Sequence, residues 1–205
     1  MDQRKRRKLL QEKLSQTCLP QGFKHYSGEY FVRDRGDIQD VFFFQQTRGN
    51  GQYYIAYGID CPQLLSPLRN NDVLKLGNLP RLLIDNGRLE DGRAYGCKYE
   101  DHIDSSAVKV AAALEIEAEA WFSRYNTINE VIEQYRALNI GSESPSENVP
   151  PGKIIRWCQY GLMLLEVGNA TGHQWLKPVL ATYKSRPKAT EQDKEWVKII
   201  EDCYP

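Results

Sequence analysis

The feature that most constrains the fold is a pair of aromatic-rich runs, DVFFFQQ and QYYIAYGID, separated by the polar segment TRGNG. Glycine and asparagine tolerate positive φ angles, so RGNG predicts a hairpin loop between strands over residues 38–46 and 52–59. The first strand is apolar on both faces at its centre, as in a central strand that is covered on both sides. Four apolar side chains of the second strand share one face: Tyr53, Ile55, Tyr57 and Ile59. We therefore expect the centre of an antiparallel sheet whose first face receives helices.

Helical periodicity accounts for much of the remaining chain. Apolar residues recur at helical spacing over 2–16 and 105–125, which predicts one helix before the sheet and a long helix after it. Thr127 and Glu130 have the spacing of a capping box, which predicts a further helix that ends near Leu138. Another strand is expected near Tyr30, and the segments LPRLLID and GRAYGCKY are expected to add one or two more.

Residues 139–153, NIGSESPSENVPPGK, have the composition of a linker, because they are polar and hold three prolines. Three helical segments follow. The sequence therefore predicts an α+β domain over 1–140, with an antiparallel sheet packed with helices. A linker over 141–152 and a small helical hairpin-like region over 153–205 are expected to follow it.

The charge balance and the cysteine content argue against several classes of protein. The chain has 27 basic and 27 acidic residues, so its net charge draws it neither to nucleic acid nor to a membrane. Its five cysteines are widely spaced, are odd in number and form no Cys-x-x-Cys motif. This usage favours reduced thiols and a cytoplasmic location over a disulfide framework or a zinc site. No apolar run approaches the length that spans a membrane.

The common catalytic motifs are absent from the sequence. It has no phosphate-binding GxxxxGK[ST] loop, no GxGxxG, no GxSxG and no HExxH. The densest polar cluster is CKYEDHID, in which Asp101, His102 and Asp104 form a candidate metal or acid–base site. The alternative is that Asp104 and the serines at 105 and 106 cap the long helix while the other side chains are solvated.

Two charged segments are candidate binding surfaces. Glu115, Glu117 and Glu119 lie in the long helix, where like charges at 115 and 119 repel unless a cation faces them. A basic partner surface is the functional interpretation, and an exposed acidic helix face is the alternative. The basic run from Arg4 to Lys8 is either a solvated helix face or a nucleic-acid site with the sheet aromatics as a stacking platform.

Several local features occur together in a known order. They are a Gly-Phe pair, an aromatic residue and an arginine in the next strand, a glutamine pair, a small-residue strand end and a Trp-Phe pair: Gly22-Phe23, Phe31 with Arg33, Gln45-Gln46, Tyr57-Gly58-Ile59 and Trp121-Phe122. Over about residues 8–140 this order resembles a largely bacterial family, domain of unknown function 4304. The segment LMLLEVGNATGHQWLKPVL resembles a single helical hairpin of the tetratricopeptide kind, as a C-terminal extension. The resemblance implies an α+β fold and no particular reaction.

The functional expectation is a non-enzymatic cytoplasmic protein-binding domain without a cofactor. One such role is an immunity protein that neutralises a bacterial toxin through Glu115, Glu117 and Glu119, because an acidic surface speeds association with a cationic partner. The alternatives are a metal-dependent hydrolase that uses Asp101, His102 and Asp104, and a nucleic-acid-binding protein that uses Arg4 to Lys8.

Overall fold

The computed structural model describes residues 2–46, 51–61, 84–150, 152–185 and 190–204. By its contacts the chain divides into two compact units. The first is Met1–Asp60 with Leu82–Thr127, and the second is Cys61–Arg81 with Ile128–Pro205. The first unit contains an antiparallel sheet packed with helices and the second contains helices, so the predicted α+β class is confirmed.

The sheet has six strands among the described residues, and all of their pairings are antiparallel. Five strands follow one another in chain order across the sheet, and the short sixth strand pairs with the fourth. Their bounds are β1 Lys24–Ser27, β2 Tyr30–Asp34, β3 Gln39–Gln46, β4 Gln52–Asp60, β5 Ile84–Arg88 and β6 Tyr95–Gly96.

The β3–β4 pair is the predicted hairpin, in register from Gln39 opposite Asp60 to Gln46 opposite Tyr53. Residues 47–50 of its predicted loop lie outside the described residues. Alternation along the strands places one set of large side chains on the first face of the sheet, where they are buried: Phe31, Phe42, Phe44, Ile55, Tyr57 and Ile59. Phe42 stacks on Phe31 at 4.7 Å between ring centroids. The aromatics that the sequence places on this face are therefore core.

Two helices complete the first unit. Helix α1 spans Gln3–Thr17 and is capped by Asp2, whose Oδ1 accepts a hydrogen bond of 2.8 Å from the Lys5 amide. Helix α2 consists of an α-helical part over Glu100–Ala113, a π-helical turn over Leu114–Ala118 and a last α-helical turn over Glu119–Phe122.

The start of α2 differs from the prediction. The helix begins five residues before Ser105, and the Ser106 hydroxyl donates to the Gly96 carbonyl oxygen at 2.6 Å instead of capping the helix. Glu100 and Asp101 lie in the first turn, where their charges interact favourably with the helix dipole. These two acidic residues allow the helix to begin before the serines.

The second unit contains four helices among its described residues. They are α3 Ile128–Tyr135, which continues as a π-helical turn over Arg136–Ile140, α4 Ile154–Glu166, α5 Gly172–Lys184 and α6 Glu191–Cys203. The sequence places the domain boundary after residue 140, whereas contacts place α3 in the second unit. The Tyr135 hydroxyl of α3 donates to Oε1 of Gln159 in α4 at 2.6 Å, and both side chains are buried. No helix among the described residues is long and apolar enough to cross a membrane.

Helices α4 and α5 approach each other closely at Gly161 and Gly172. A Cβ atom on Gly172 would lie 2.4 Å from the Gly161 carbonyl oxygen, and one on Gly161 would lie 3.0 Å from the Gly172 oxygen. Both contacts involve backbone atoms, which cannot move aside as a side chain can. Aromatic packing of Trp175 against Trp157, at 5.0 Å between centroids, lies in the same hairpin.

Gly172→Ala is expected to lower the free energy of unfolding by about 1–3 kcal/mol, because the added methyl group overpacks the helix crossing. Chemical denaturation followed by circular dichroism measures the change. Gly96→Ala is the matched control, since a Cβ there meets its nearest neighbour at 3.9 Å. Equal stability of the Gly172→Ala variant and the wild type would contradict the close approach.

The five cysteines are all thiols without a disulfide bond, and four of them are buried. Burial raises the pKa of Cys18 to about 11 and that of Cys97 to about 12. Burial also raises the pKa of Cys158. Cys203 is exposed near the end of α6. All four buried thiols are shielded from reagents by the surrounding protein. The raised pKa also keeps Cys18, Cys97 and Cys158 protonated, and the thiolate is the reactive form.

An aromatic disulfide reagent at pH 8 is expected to modify one thiol per native chain rapidly and all five after denaturation. The absorbance of the released thiolate counts the thiols. Cys203→Ser should remove the rapid phase and leave the denatured total one lower. Two or more rapid thiols in the native protein would contradict the described burial.

Candidate protein-binding surface

The three glutamates of α2 do not share one exposed face. Ala118 is fully buried, and its neighbours Glu117 and Glu119 therefore lie on the two flanks of the helix, each partly buried. Glu115 is exposed. The helix thus divides the predicted acidic group into two side chains that bind within the first unit and one that faces outward.

Glu119 is held by an arginine of the sheet. Nη1 and Nη2 of Arg33 donate to the two carboxylate oxygens of Glu119, the second at 3.0 Å. The same guanidinium donates to Oδ2 of Asp40 from Nε at 2.9 Å and from Nη2 at 2.6 Å. Its Cζ lies 4.8 Å from the Phe23 ring centroid, within cation–π range. The cation that the like-charge argument requires opposite Glu119 is therefore Arg33.

Asp40 lies at the centre of this network. Its side chain is fully buried, and Oδ1 forms an ion pair with Nη2 of Arg35 at 2.7 Å. Arg35 also donates to the carbonyl oxygen of Phe122, at the end of α2, at 3.0 Å. Burial raises the pKa of Asp40, and the Arg33 hydrogen bond and the Arg35 charge oppose that rise. Two cations thus compensate one carboxylate withdrawn from water.

Glu117 is held on the other flank of α2. Its Oε1 accepts a hydrogen bond of 3.0 Å from the Tyr57 hydroxyl of β4, and its Oε2 accepts one of 2.8 Å from the backbone amide of Glu90. Glu90 and Asp91 both adopt left-handed backbone conformations, with φ angles of 48° and 52°. Such conformations are costly for residues other than glycine, so the bond from Glu117 helps to hold this turn in place.

A shallow cavity of about 430 Å³ lies beside this turn, between Glu117, Asp91 and the aromatic rings of Tyr57 and Trp121. Both oxygens of Glu117 already accept hydrogen bonds. The Glu90 carboxylate accepts from the Tyr95 hydroxyl at 2.8 Å and pairs with Arg93 at 3.2 Å. The carboxylates at this cavity are thus largely engaged within the first unit.

The outward side of α2 is apolar for a solvent-facing helix. Ile116 is 79% exposed and Val108 is 61% exposed. They are eight positions apart with exposed Ala112 between them, so all three lie on one side of the helix. Exposed Glu115 adjoins Ile116, and exposed Lys109 lies seven positions before Ile116 on the same side. We call Val108, Ala112, Glu115 and Ile116 the outer surface of α2.

The candidate metal cluster does not assemble. Asp101, His102 and Asp104 are all exposed. Asp104 forms an ion pair of 2.9 Å with Lys13, and the His102 ring packs edge-on against Tyr99 at 5.1 Å. Within the described part of the chain, no group of three or more His, Cys, Asp or Glu side chains is placed to hold a metal ion.

The basic run of α1 is largely neutralised by acidic residues of the first unit. Lys5 pairs with Glu100 at 3.3 Å, Arg7 pairs with Glu29, and Lys8 pairs with Glu12 at 3.8 Å. These exposed pairs contribute little to stability, but they reduce the positive potential that a phosphate backbone would meet.

Asp40 and Arg35 are not among the site residues predicted from the sequence. The position of Asp40 could have been inferred, because it lies two positions before Phe42 in β3 and therefore faces the same side of the sheet as a core aromatic residue. A carboxylate at a core-facing position requires a buried cation. Arg33 lies directly opposite Asp40 in β2.

Comparisons of the chain with protein-family models, curated proteins and solved structures found no match. The resemblance to domain of unknown function 4304 therefore stays a prediction from the sequence.

Asp40→Asn is expected to lower the free energy of unfolding by about 3 kcal/mol, because it leaves two partly buried arginines without their shared counter-ion. Glu119→Gln is expected to cost about 1 kcal/mol or less, because the Glu119 side chain is 37% exposed. Urea denaturation of the two variants and the wild type gives the comparison. A larger loss for Glu119→Gln than for Asp40→Asn would refute Asp40 as the centre of the network.

Proposed function

We propose that the chain is a non-enzymatic protein-binding domain that contacts its partner through the outer surface of α2. The observation that carries the proposal is the exposure of Ile116 and Val108 on one side of a helix whose opposite side is buried. About 12 Å of helix separates the two side chains, a span that a partner helix or strand can cover. Aligned exposed aliphatic residues mark interaction surfaces more often than isolated ones do.

The charge of the surface suggests the chemistry of the partner. Glu115 stands beside Ile116, whereas Glu117 and Glu119 are engaged with Tyr57, Glu90 and Arg33. An apolar patch with a basic group opposite Glu115 and an acidic group opposite Lys109 would complement this surface. A toxin domain with that arrangement is one such partner, and the immunity role is the specific form of this proposal. A cytoplasmic location is part of it, because the cysteine usage suits a reducing compartment.

Observations on the two alternatives favour the binding proposal over them. The hydrolase proposal relies on Asp101, His102 and Asp104, which are exposed and form no metal-binding group of three among the described residues. The nucleic-acid proposal relies on Arg4 to Lys8, where three of the five side chains pair with glutamates.

Ile116→Asp is expected to weaken capture of the partner by at least about tenfold, because it places a charge in the apolar part of the contact area. The tagged full chain is used to capture proteins from its native cells, and the affinity of any stoichiometric partner is then measured with each variant. Ile155→Asp is the matched control, since Ile155 is 44% exposed on α4 in the second unit. A partner that binds the wild type and Ile116→Asp equally well would place the contact elsewhere.

Charge reversal tests the second part of the proposal. Glu115→Lys should slow association with a basic partner, and the effect should shrink as salt is added, because screening weakens attraction between exposed charges. Glu147→Lys makes the same change at an exposed glutamate of the second unit. Equal effects of the two reversals would show that the association rate depends on the net charge of the chain and that Glu115 has no specific role.

A further inference from the structure

A groove of about 590 Å³ lies between α5 and α6 in the second unit. Its floor is apolar, with Leu176 and Leu180 from α5 and Ile200 from α6. Leu176 and Ile200 are almost fully buried, while Leu180 is half-buried and reaches the open side. This volume lies within the range of pockets that accept a ligand or a few partner side chains.

The α5 wall of the groove carries basic residues. His173, Lys177 and Lys184 all line it, and their spacing of four and seven positions places them on one side of the helix. This row extends over about 16 Å, or three helical turns. Among the described lining residues, the α6 wall contributes one acidic side chain, Glu201. Basic side chains therefore outnumber acidic ones in the described lining of the groove.

The lysines of this wall are available to a partner. Lys177 is exposed and has no carboxylate within ion-pair distance among the described residues. Lys184 pairs with Glu201 at 2.5 Å, but the two side chains are 56% and 46% exposed. An ion pair with that exposure is worth little and can exchange partners at small cost.

We propose that this groove binds an amphipathic helix of a partner protein whose apolar side carries acidic residues along one edge. The apolar side chains would pack over Leu180 and Ala181, above the buried Leu176 and Ile200, and the carboxylates would pair with Lys177 and Lys184. A helix matches the site because anchors repeated every three or four residues fit a groove that is three turns of α5 long. A simple anion would pair with the lysines but leave the accessible parts of Leu180 and Ala181 in water.

This site is separate from the outer surface of α2, and its ligand has the opposite charge. A basic partner suits Glu115, whereas an acidic one suits Lys177. The two proposals can therefore fail independently. Ile116→Asp should leave binding at the α5–α6 groove unchanged, and Lys177→Glu should leave binding at the outer surface of α2 unchanged.

The test uses the full chain and two fluorescein-labelled synthetic peptides, each about four helical turns long with a leucine stripe. One peptide carries glutamate beside the stripe, and the other carries lysine at the same positions. Fluorescence anisotropy should show that the glutamate peptide binds at least about tenfold more tightly than the lysine peptide. Equal affinities, or no binding of either peptide, would overturn the proposal.

Charge reversal locates the binding. Lys177→Glu should lower the affinity for the glutamate peptide by about tenfold and raise the affinity for the lysine peptide. Lys198→Glu is the matched control, because Lys198 is exposed on α6 but does not line the groove. Equal losses in both variants would show a general charge effect and overturn the proposal. Displacement of the glutamate peptide by inorganic phosphate at millimolar concentration would indicate a simple anion site. That result would also overturn the proposal.

Discussion

The first unit depends on one carboxylate that has been removed from water. Asp40 is on the side of β3 that packs against helices, and an isolated charge there would be strongly destabilising. Arg33 from β2 and Arg35 beyond its end supply the compensating charge. Arg33 extends further to Glu119, and Arg35 to the last turn of α2. The charge of Asp40 therefore links two strands and the end of a helix.

This linkage also specifies geometry. A purely apolar contact between α2 and the sheet would tolerate small shifts of the helix along its axis. Bidentate contacts from Arg33 tolerate them poorly, because the guanidinium has a planar, directional donor set. On the opposite flank Glu117 bonds to Tyr57 and to the Glu90 amide. Held on both flanks, α2 presents Ile116 and Val108 outward on a rigid element.

Local pattern predicted much of the fold. Alternation identified β3 and β4 and the side chains of their buried face. Helical periodicity identified the helices that precede and follow the sheet in the sequence. The predicted start of α2 at the serines is wrong, because Glu100 and Asp101 also satisfy the local rules for a helix start and come earlier in the chain. Residues 47–50 of the predicted loop lie outside the described part of the chain.

The candidate site was harder to predict, because its contacts join residues that are distant in the sequence. Glu119 and Arg33 are 86 positions apart, and no local rule pairs them. Helical spacing places Glu115 and Glu119 next to each other on the helix. Which of them contacts a cation depends on the side of α2 that packs on the sheet. Ala118, small and fully buried, marks that side. The three glutamates alone do not reveal it.

The close approach of Gly161 and Gly172 has an evolutionary consequence. Two residues that occupy one small volume cannot vary independently, and here the neighbour of each is backbone that no compensating substitution can shorten. Any descendant chain that keeps this helix crossing should keep both positions without a side chain. A pair of glycines eleven positions apart, within a hairpin that holds two buried tryptophans, is therefore a mark by which distant relatives of this chain can be recognised.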